Sequence, residues 1–544
     1  MIKYFLSNIM PSKIKLLSIL LLYMIIAGYQ NVCLSQDISP QIITTLNDST
    51  PVEFYSLTAY PLHFRAVTEA PDSILVDSVK LTIGNQQFHP EQNGDLFTTW
   101  WQPDSFGTYT IAIEAYGSNG SQTQWVKEIE VSRVSGSQTV NAFDHDVIQF
   151  QGTNSRWLYK TEYLPQFIGC YRQIDATFWT ECPNVSGACD DWDRLAWIEV
   201  KAPNGEWVEL IRYITPYGVG CNHQIDLTDY ASVLQGKVEM RMFIDTWGTG
   251  GWDVNLVLDY GLGLPQYPYS SVEVLWKGAL SFGNLANLQP ADTLDISLGT
   301  NTNLAEVQFF TTGHGWGENN SQNAAEFYPA INQFRLDDSL IYAQNLITDC
   351  NPNPDGCQPQ AGTWQYSRAG WCPGMIAPRY EVDLTGYLNR ESVELSYILD
   401  PRYTDFCHPN NPNCVTGVTC NDCNAGYNPF FQVSANLIRH WETAVPDTGE
   451  AITQIALAEN FELMVVPNPG KGIFYLRVKG ETGFSSRLLV QVVNTAGQAI
   501  ARYEELSLTE LEGRRFDLGE VPAGLYHVLV SGDRGTQRYP LVVQ

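Results

Sequence analysis

Apolar and polar residues alternate with a period of two along most of this chain. The clearest run is GTYTIAIEAYG at 107–117, where Tyr109, Ile111, Ile113 and Ala115 share one face. A Ser-Asn-Gly-Ser turn follows it. Such alternation predicts half-buried strands. The neighbouring runs VDSVKLTIG, GDLFTTWW and WVKEIEVSR make 37–132 one β domain. Alternation resumes in LAWIEVKA, WVELIRYI, VEMRMFIDTW and VNLVLDYG, which make 140–262 a second. Asn204-Gly205 separates the first two of these runs, a hairpin signal. Strands with long Asn/Pro/Gly loops fill 267–440, and 459–544 reads as a compact β module. Segments 134–138 and 441–458 read as linkers. No helical periodicity of convincing length appears between 37 and 544, so an all-β, multidomain protein is expected.

Composition narrows the class. The 544 residues predict about three to five domains. Hydrophobic residues are 44% and the mean hydropathy is -0.17, enough for real cores. Lys+Arg number 31 against 59 Asp+Glu, a net charge of -28. A phosphate-binding surface needs clustered cations, so nucleic-acid binding is excluded as a general role. Aromatics reach 12%, which suits β cores and also carbohydrate-binding faces.

Export is expected. Lys13 and Lys15 precede an apolar run from Leu16 to Ala27, signal-peptide length and too short to span a bilayer. The signal is read as 1–35, with no transmembrane segment after it. Twelve cysteines fit an oxidising compartment better than a reducing one. If Cys33 leaves with the signal, an odd number remains. The loop holding Cys407, Cys414, Cys420, Cys423 and His408 reads as disulfide-stapled rather than as a zinc site. The run Asn351–Gly356 mimics the start of a calcium loop, but its twelfth position, Gly362, supplies no carboxylate.

The chemistry-bearing constellation lies in the second region. Glu181-Cys182-Pro183-Asn184 is followed by Cys189-Asp190-Asp191-Trp192-Asp193-Arg194. Two cysteines can staple the short loop, and three carboxylates then crowd around a Trp. Carboxylates held together are costly to keep charged, which points to function or cation binding.

These motifs carry a resemblance. ECPN…CDDWDR, GEWVELIRYITPYGVG, DLTDYASVLQGKVEMRMFIDTW, TTGHGWGENNSQNAAEF and SRAGWCPGM occur in the order found in bacterial peptide-N-glycosidase F, over roughly residues 140–440. The resemblance implies two adjacent antiparallel jelly rolls with a cleft between them, at 140–262 and 267–440. It implies hydrolysis of the amide between N-acetylglucosamine and asparagine, without metal or cofactor. It assigns Asp193, Glu326 and Asp245 as catalytic carboxylates. It places Trp192, Arg194, Trp247, Trp316, Arg368 and Trp371 at the substrate. Cys182–Cys189 is the expected disulfide, with Cys372 joined to Cys350 or Cys357, and Cys170–Cys221 as a further pairing.

Two departures stand out. The family's cysteines flanking the second catalytic acid are here Ala324 and Tyr328. Asp245 replaces a Glu and reaches ~1.5 Å less. They leave open a glycan-binding protein without catalysis as the rival reading. Copper monooxygenase chemistry needs paired His ligands that eight scattered His do not offer.

The end modules have resemblances too. Residues 37–132 resemble bacterial immunoglobulin-like β-sandwiches. The pieces at 466–472, 494–497 and 522–526 resemble a type nine secretion sorting domain, a β-sandwich that directs cargo to the exterior of Gram-negative bacteria. The expected partners are an N-glycoprotein substrate and the secretion machinery, the expected place is outside or on the outer surface, and the expected state is a monomer.

Overall fold

The computed structural model describes residues 39–47, 50–68, 75–152, 154–299, 301–315, 325–390, 392–405, 407, 429–442, 461–466, 470–480, 488–494, 499–506, 514–519, 521–532 and 535–543. The signal with Cys33, Trp316, Ala324, the cysteine loop beyond Cys407 and most of the linker at 441–458 lie outside them. Among the described residues the fold is all-β, as the alternation predicts, with only short 3-10 turns between strands. No helix among the described residues is long and apolar enough to cross a membrane.

Residues 41–133 form two facing sheets. One orders Gln41–Thr44, Tyr60–Val67, Leu96–Trp101 and Glu91–Asn93. The other orders Val52–Phe54, Gln122–Arg133, Gly107–Gly117, Val76–Ile83 and Gln86–Phe88. Val52–Phe54 runs parallel to its neighbour, and the other described pairings in these two sheets are antiparallel. In Gly107–Gly117, Ile111, Ile113 and Ala115 are buried, on the face that the alternation assigned to the core.

Two eight-stranded antiparallel rolls follow. The first pairs a sheet of Gln138–Ile148, Trp252–Leu262, Tyr171–Glu181 and Cys221–Asp226 with one of Trp157–Tyr163, Lys237–Ile244, Leu195–Lys201 and Trp207–Ile214. Asn204-Gly205 makes the hairpin between the last two strands, with Gly205 at a φ of 90° that favours glycine. The second roll pairs Tyr269–Ser281, Phe430–Trp441, Leu304–His314 and Tyr380–Asp383 with Leu294–Ser297, Ser392–Ile398, Ile331–Leu336 and Ser339–Asn345.

The two rolls are joined where the site lies. Met375–Ile376 of the second roll adds to the first roll's sheet as an antiparallel strand on Tyr213 and Ile214. Gly374 N–H donates to the Ile214 carbonyl at 2.8 Å. Cys221 of the first roll is disulfide-bonded to Cys357 of the second. This corrects the expected Cys170–Cys221 pairing. Cys170 is instead buried and free, with its thiol donating to the Glu53 carbonyl at 3.2 Å. Among the described residues no other cysteine is placed to bridge it. Disulfides also join Cys182 to Cys189 and Cys350 to Cys372, and Cys407 is disulfide-bonded.

The C-terminal unit has two sheets of its own. Phe461–Val466, Ile473–Gly480 and Arg515–Asp517 form one; Ala499–Leu506, Leu488–Asn494, Gly524–Gly532 and Gly535–Val543 form the other. Phe474, Val490, Val492, Phe516, Val528 and Leu541 fill the core between them.

Candidate active site

A buried guanidinium organises the site. Arg368 sits on the two-residue strand Arg368–Ala369, paired with Ile347–Thr348. Its side chain is 1% exposed. Nη2 lies 3.5 Å from Asp193 Oδ2, and Nε lies 3.3 Å from Glu326 Oε1. The same head donates to the carbonyls of Tyr366 at 2.8 Å and Thr363 at 3.2 Å. A buried charge is tolerated only when its donors are satisfied and a counter-charge is near, and both conditions hold.

Asp193 stands just before the strand Leu195–Lys201. The turn that carries it is built by Asp190, which is buried. Asp190 accepts two bonds from Arg194, at 2.9 and 3.2 Å, and one from the Trp192 backbone N–H at 3.1 Å. Thr215 continues the brace, accepting from Arg194 N–H at 2.7 Å and donating to the Trp192 carbonyl at 3.0 Å. Of the three clustered carboxylates, Asp190 therefore shapes the turn and Asp193 points to Arg368. Tyr217 hydroxyl donates to Asp193 Oδ2 at 2.7 Å.

Glu326 comes from the other roll. Its carbonyl accepts the Ala369 N–H at 2.8 Å, fixing its segment to the Arg368 strand. The missing cysteine staple is replaced by packing. Ala325 is buried, Tyr328 packs on Tyr403 at 4.7 Å, and Phe282 stacks on Tyr403 at 4.2 Å. Phe327 lies under the Arg368 guanidinium at 5.4 Å.

The electrostatics separate the two acids. Burial, then the nearby Asp193 charge, pushes Glu326 up from 4.5 to about 7, against the pull of Arg368. Burial also raises Asp193, but the Tyr217 hydrogen bond and Arg368 oppose the rise. Glu326 is thus the acid whose proton affinity reaches the neutral range.

The remaining expected residues divide. Trp192 and Trp247 are 61% and 56% exposed, with Arg156 laid over one face of Trp247. Arg194 is committed to Asp190. Trp371 is only 2% exposed, with Nε1 donating to the Gly313 carbonyl at 2.8 Å and its ring 4.9 Å from the Arg368 guanidinium. Arg368 and Trp371, both expected at the substrate, are thus almost wholly covered here and brace the site through these contacts. The motif's glycine has its own reason. Gly370 has a φ of 82°, and a side chain there would run into the Thr311 carbonyl.

Asp245 is not brought to the pair. Its backbone N–H donates to the Leu195 carbonyl at 3.0 Å, which keeps it at the same sheet end as Asp193. Its carboxylate lies 3.9 Å from Arg156, whose guanidinium lies 3.2 Å from the Trp247 ring centre. Tyr217 and Thr363 were not singled out from the sequence. Tyr217 lay inside the quoted RYITPY stretch, but only its bond to Asp193 marks it.

Two groups among the described residues could hold a metal, His145–Glu181–Asp253 and Asp229–Glu306–His440. Neither includes Asp193 or Glu326. In the second, the Gln308 amide already donates to Asp229 at 2.7 Å and Glu306 at 2.6 Å. The calcium-like loop is spent on structure. Asn353 accepts from the Asp355 and Cys357 N–H groups, and Asp355 accepts from Ile376.

Comparison with known proteins finds similarity over the rolls and over the C-terminal unit. Residues 283–419 match the family described as peptide-N-glycosidase F, C terminal, and residues 464–544 match the secretion system C-terminal sorting domain. Over 231 residues the chain is 35% identical to the peptide-N(4)-(N-acetyl-beta-D-glucosaminyl)asparagine amidase F of Elizabethkingia miricola. That match covers 40% of this chain and 64% of the relative. The peptide-N-glycosidase F structure from Flavobacterium meningosepticum, titled a glycosylasparaginase, is 26% identical, with a TM-score of 0.49 over 57% of this chain and 97% of its own. The PNGF-II structure is 13% identical, with a TM-score of 0.43 over 70% and 88%. The chain thus resembles peptide-N-glycosidase F and ends in a sorting domain, which makes it a secreted or cell-surface-attached protein.

Proposed function

We propose that this protein is an amidase that hydrolyses the bond between N-acetylglucosamine and the asparagine side chain of N-glycoproteins, releasing the glycan and leaving aspartate. The observation that carries the reading is the single buried guanidinium held between one carboxylate from each roll. Amide hydrolysis needs a base to take a proton from water and an acid to supply one to the departing nitrogen. Two carboxyls whose environments separate their proton affinities can share these tasks.

Asp193 takes the base's part, oriented by Tyr217. Water attacks the asparagine side-chain carbonyl carbon as Asp193 accepts its proton. Glu326, carrying a proton near neutral pH, gives it to the nitrogen as the carbon–nitrogen bond breaks. The products are an aspartate side chain and a glycosylamine. Arg368 keeps the two acids in register and limits the charge that builds between them. Trp192 and Trp247 offer exposed faces for the sugar rings. Trp316, outside the described residues, is retained as a further sugar contact, and Asp245 as an electrostatic support through Arg156.

The test is a glycopeptide incubated in water enriched in heavy oxygen. Labelled aspartate at the former glycosylation site is expected. Asp193→Asn should cut turnover by roughly 10²–10⁴-fold with an unchanged circular dichroism spectrum. Full turnover in that variant would rule out Asp193 as the base, and binding without release would favour the glycan-binding reading.

A further inference from the structure

We propose that Asp229, Glu306 and His440 bind one divalent cation of the zinc or manganese class, and that this ion ties the two rolls together away from the reacting pair. The inference does not depend on the amidase reading. Asp229 belongs to the first roll, on the 3-10 turn Thr228–Val233. Glu306 and His440 belong to the second, on the neighbouring strands Leu304–His314 and Phe430–Trp441. Phe309 packs on Phe334 and Tyr397 in the second roll's core. Period-two alternation therefore turns Glu306 and Gln308 to the opposite face, where Asp229 meets them. One donor atom from each of Asp229, Glu306 and His440 lies within 4.8 Å of the other two. Bonds of ~2.1 Å to a single ion need donor spacings of ~3.4 Å. Asp229, whose side chain is 36% exposed, has room to close that gap.

Two buried side chains at the cluster have polar atoms without partners. His440 is only 8% exposed. Among the described residues its ring nitrogens make no hydrogen bond, and Nε2 stands 4.0 Å from Asp229 Oδ1, beyond hydrogen-bond range. Gln308 is fully buried, and its Nε2 donates to Asp229 at 2.7 Å and to Glu306 at 2.6 Å. Its Oε1 has no partner among the described residues, although buried acceptors normally have one. A neutral amide bridges the two carboxylates without offsetting the charge of either. The crowding shows in Glu306, which burial and then the Asp229 charge push up to about 7. Glu381 adds to the negative field and Arg379 opposes it, but Arg379 also donates to the Asp226 carbonyl at 3.0 Å.

A divalent ion supplies the missing positive charge and gives His440 a bond. It also makes it favourable for the Gln308 amide to turn its Oε1 toward the carboxylates as a further ligand. The donor set fixes the class. One imidazole nitrogen beside two carboxylates suits Zn²⁺ or Mn²⁺, whereas Ca²⁺ and Mg²⁺ favour all-oxygen sites. From Glu306 to Gly313, whose carbonyl holds the Trp371 indole, the strand runs ~23 Å at ~3.3 Å per residue. At that distance the ion joins the rolls and takes no part in the reaction.

The experiment is calorimetry on the full chain, stripped with a chelator and titrated with zinc chloride, manganese chloride or calcium chloride. One zinc or manganese per chain is expected, bound at least about tenfold more tightly than calcium. Asp229→Asn and Glu306→Gln should each weaken that binding by about tenfold or more. His145→Ala, in the other acidic group, should leave it unchanged. Asp229→Asn keeps the shape of a partly exposed side chain, so its circular dichroism spectrum should match the wild type. Saturating zinc should raise the Tm of the wild type and leave that of Asp229→Asn unmoved. No saturable binding to the intact chain would overturn the site. Equal binding in the wild type and both variants, or binding lost only in His145→Ala, would mark an adventitious ion only and overturn it too. None of these readings requires cleavage of a glycopeptide, so failure of the site and failure of the amidase reading are told apart.

Discussion

Glu326 and Asp193 are the same kind of group in different surroundings, and that difference sets the expected pH response. Glu326 is pushed to about 7 by burial and by Asp193. In its proposed part as proton donor, it loses competence as pH rises through about 7, so turnover should fall on the alkaline side. Glu326→Gln should remove that limb from the pH–rate profile along with most of the rate. A profile with the limb intact would assign it to another group. The stability effect has the same sign. A carboxyl whose affinity for protons is raised by folding contributes fully below its ordinary value of 4.5, and that contribution is lost as pH rises to about 7. The Gln variant should therefore show a shallower fall in Tm between pH 5 and 8 than the wild type. At this scale the sequence named Asp193 and Glu326 through their motifs. It could not separate Asp190 from Asp193, because both are Asp in one acidic turn and only their partners differ. Nor could it show Trp371 as a support: whether a Trp is open or covered depends on residues distant in sequence, here Gly313 and Arg368.

The elements that hold the site are mostly loops, so their rigidity is borrowed. The loop from Cys350 to Ile376 carries Thr363, Arg368 and Trp371, and it is anchored three ways. Cys350–Cys372 closes it, Cys221–Cys357 ties it to the first roll, and Met375–Ile376 completes a sheet there. The bond between the rolls spans 136 residues of sequence. Long closures restrict the unfolded chain most, so replacing Cys221 and Cys357 with Ser should cost about 2–4 kcal/mol. The larger expected effect is on kcat, because Tyr217 and Gln360, bonded at 3.2 Å, lie beside this tie. Thermal melting and turnover of the double Ser variant check both, and unchanged kcat would show that the strand alone aligns the loop. The strands themselves were legible from period-two alternation and Asn204-Gly205. The disulfide partner of Cys221 was not, since spacing along the chain says little about which loops meet.

In the larger unit, the N-terminal sandwich is seated on the first roll and on the first strand of the second. Phe54 packs on Phe167 at 4.9 Å, the Gln166 amide donates to the Asn47 carbonyl at 2.6 Å, and Tyr269 hydroxyl donates to the Ala59 carbonyl at 2.9 Å. Phe54 is fully buried, and Phe54→Ala should cost roughly 3–5 kcal/mol. A single melting transition that moves as a whole would show that sandwich and rolls unfold together. A separate early transition would show that the sandwich unfolds on its own. The sequence by itself determined the all-β class, the exported character and the motifs that hold the two acids. These depend on local alternation, composition and short spacings, which need no knowledge of distant contacts. Only the tertiary structure decided that one buried arginine spans both rolls, and that Cys170 stays free while Cys221 crosses to Cys357. Each of those depends on burial and on distances between segments far apart in the chain. Desolvation and Coulomb energies follow those distances, and residue order alone does not specify them.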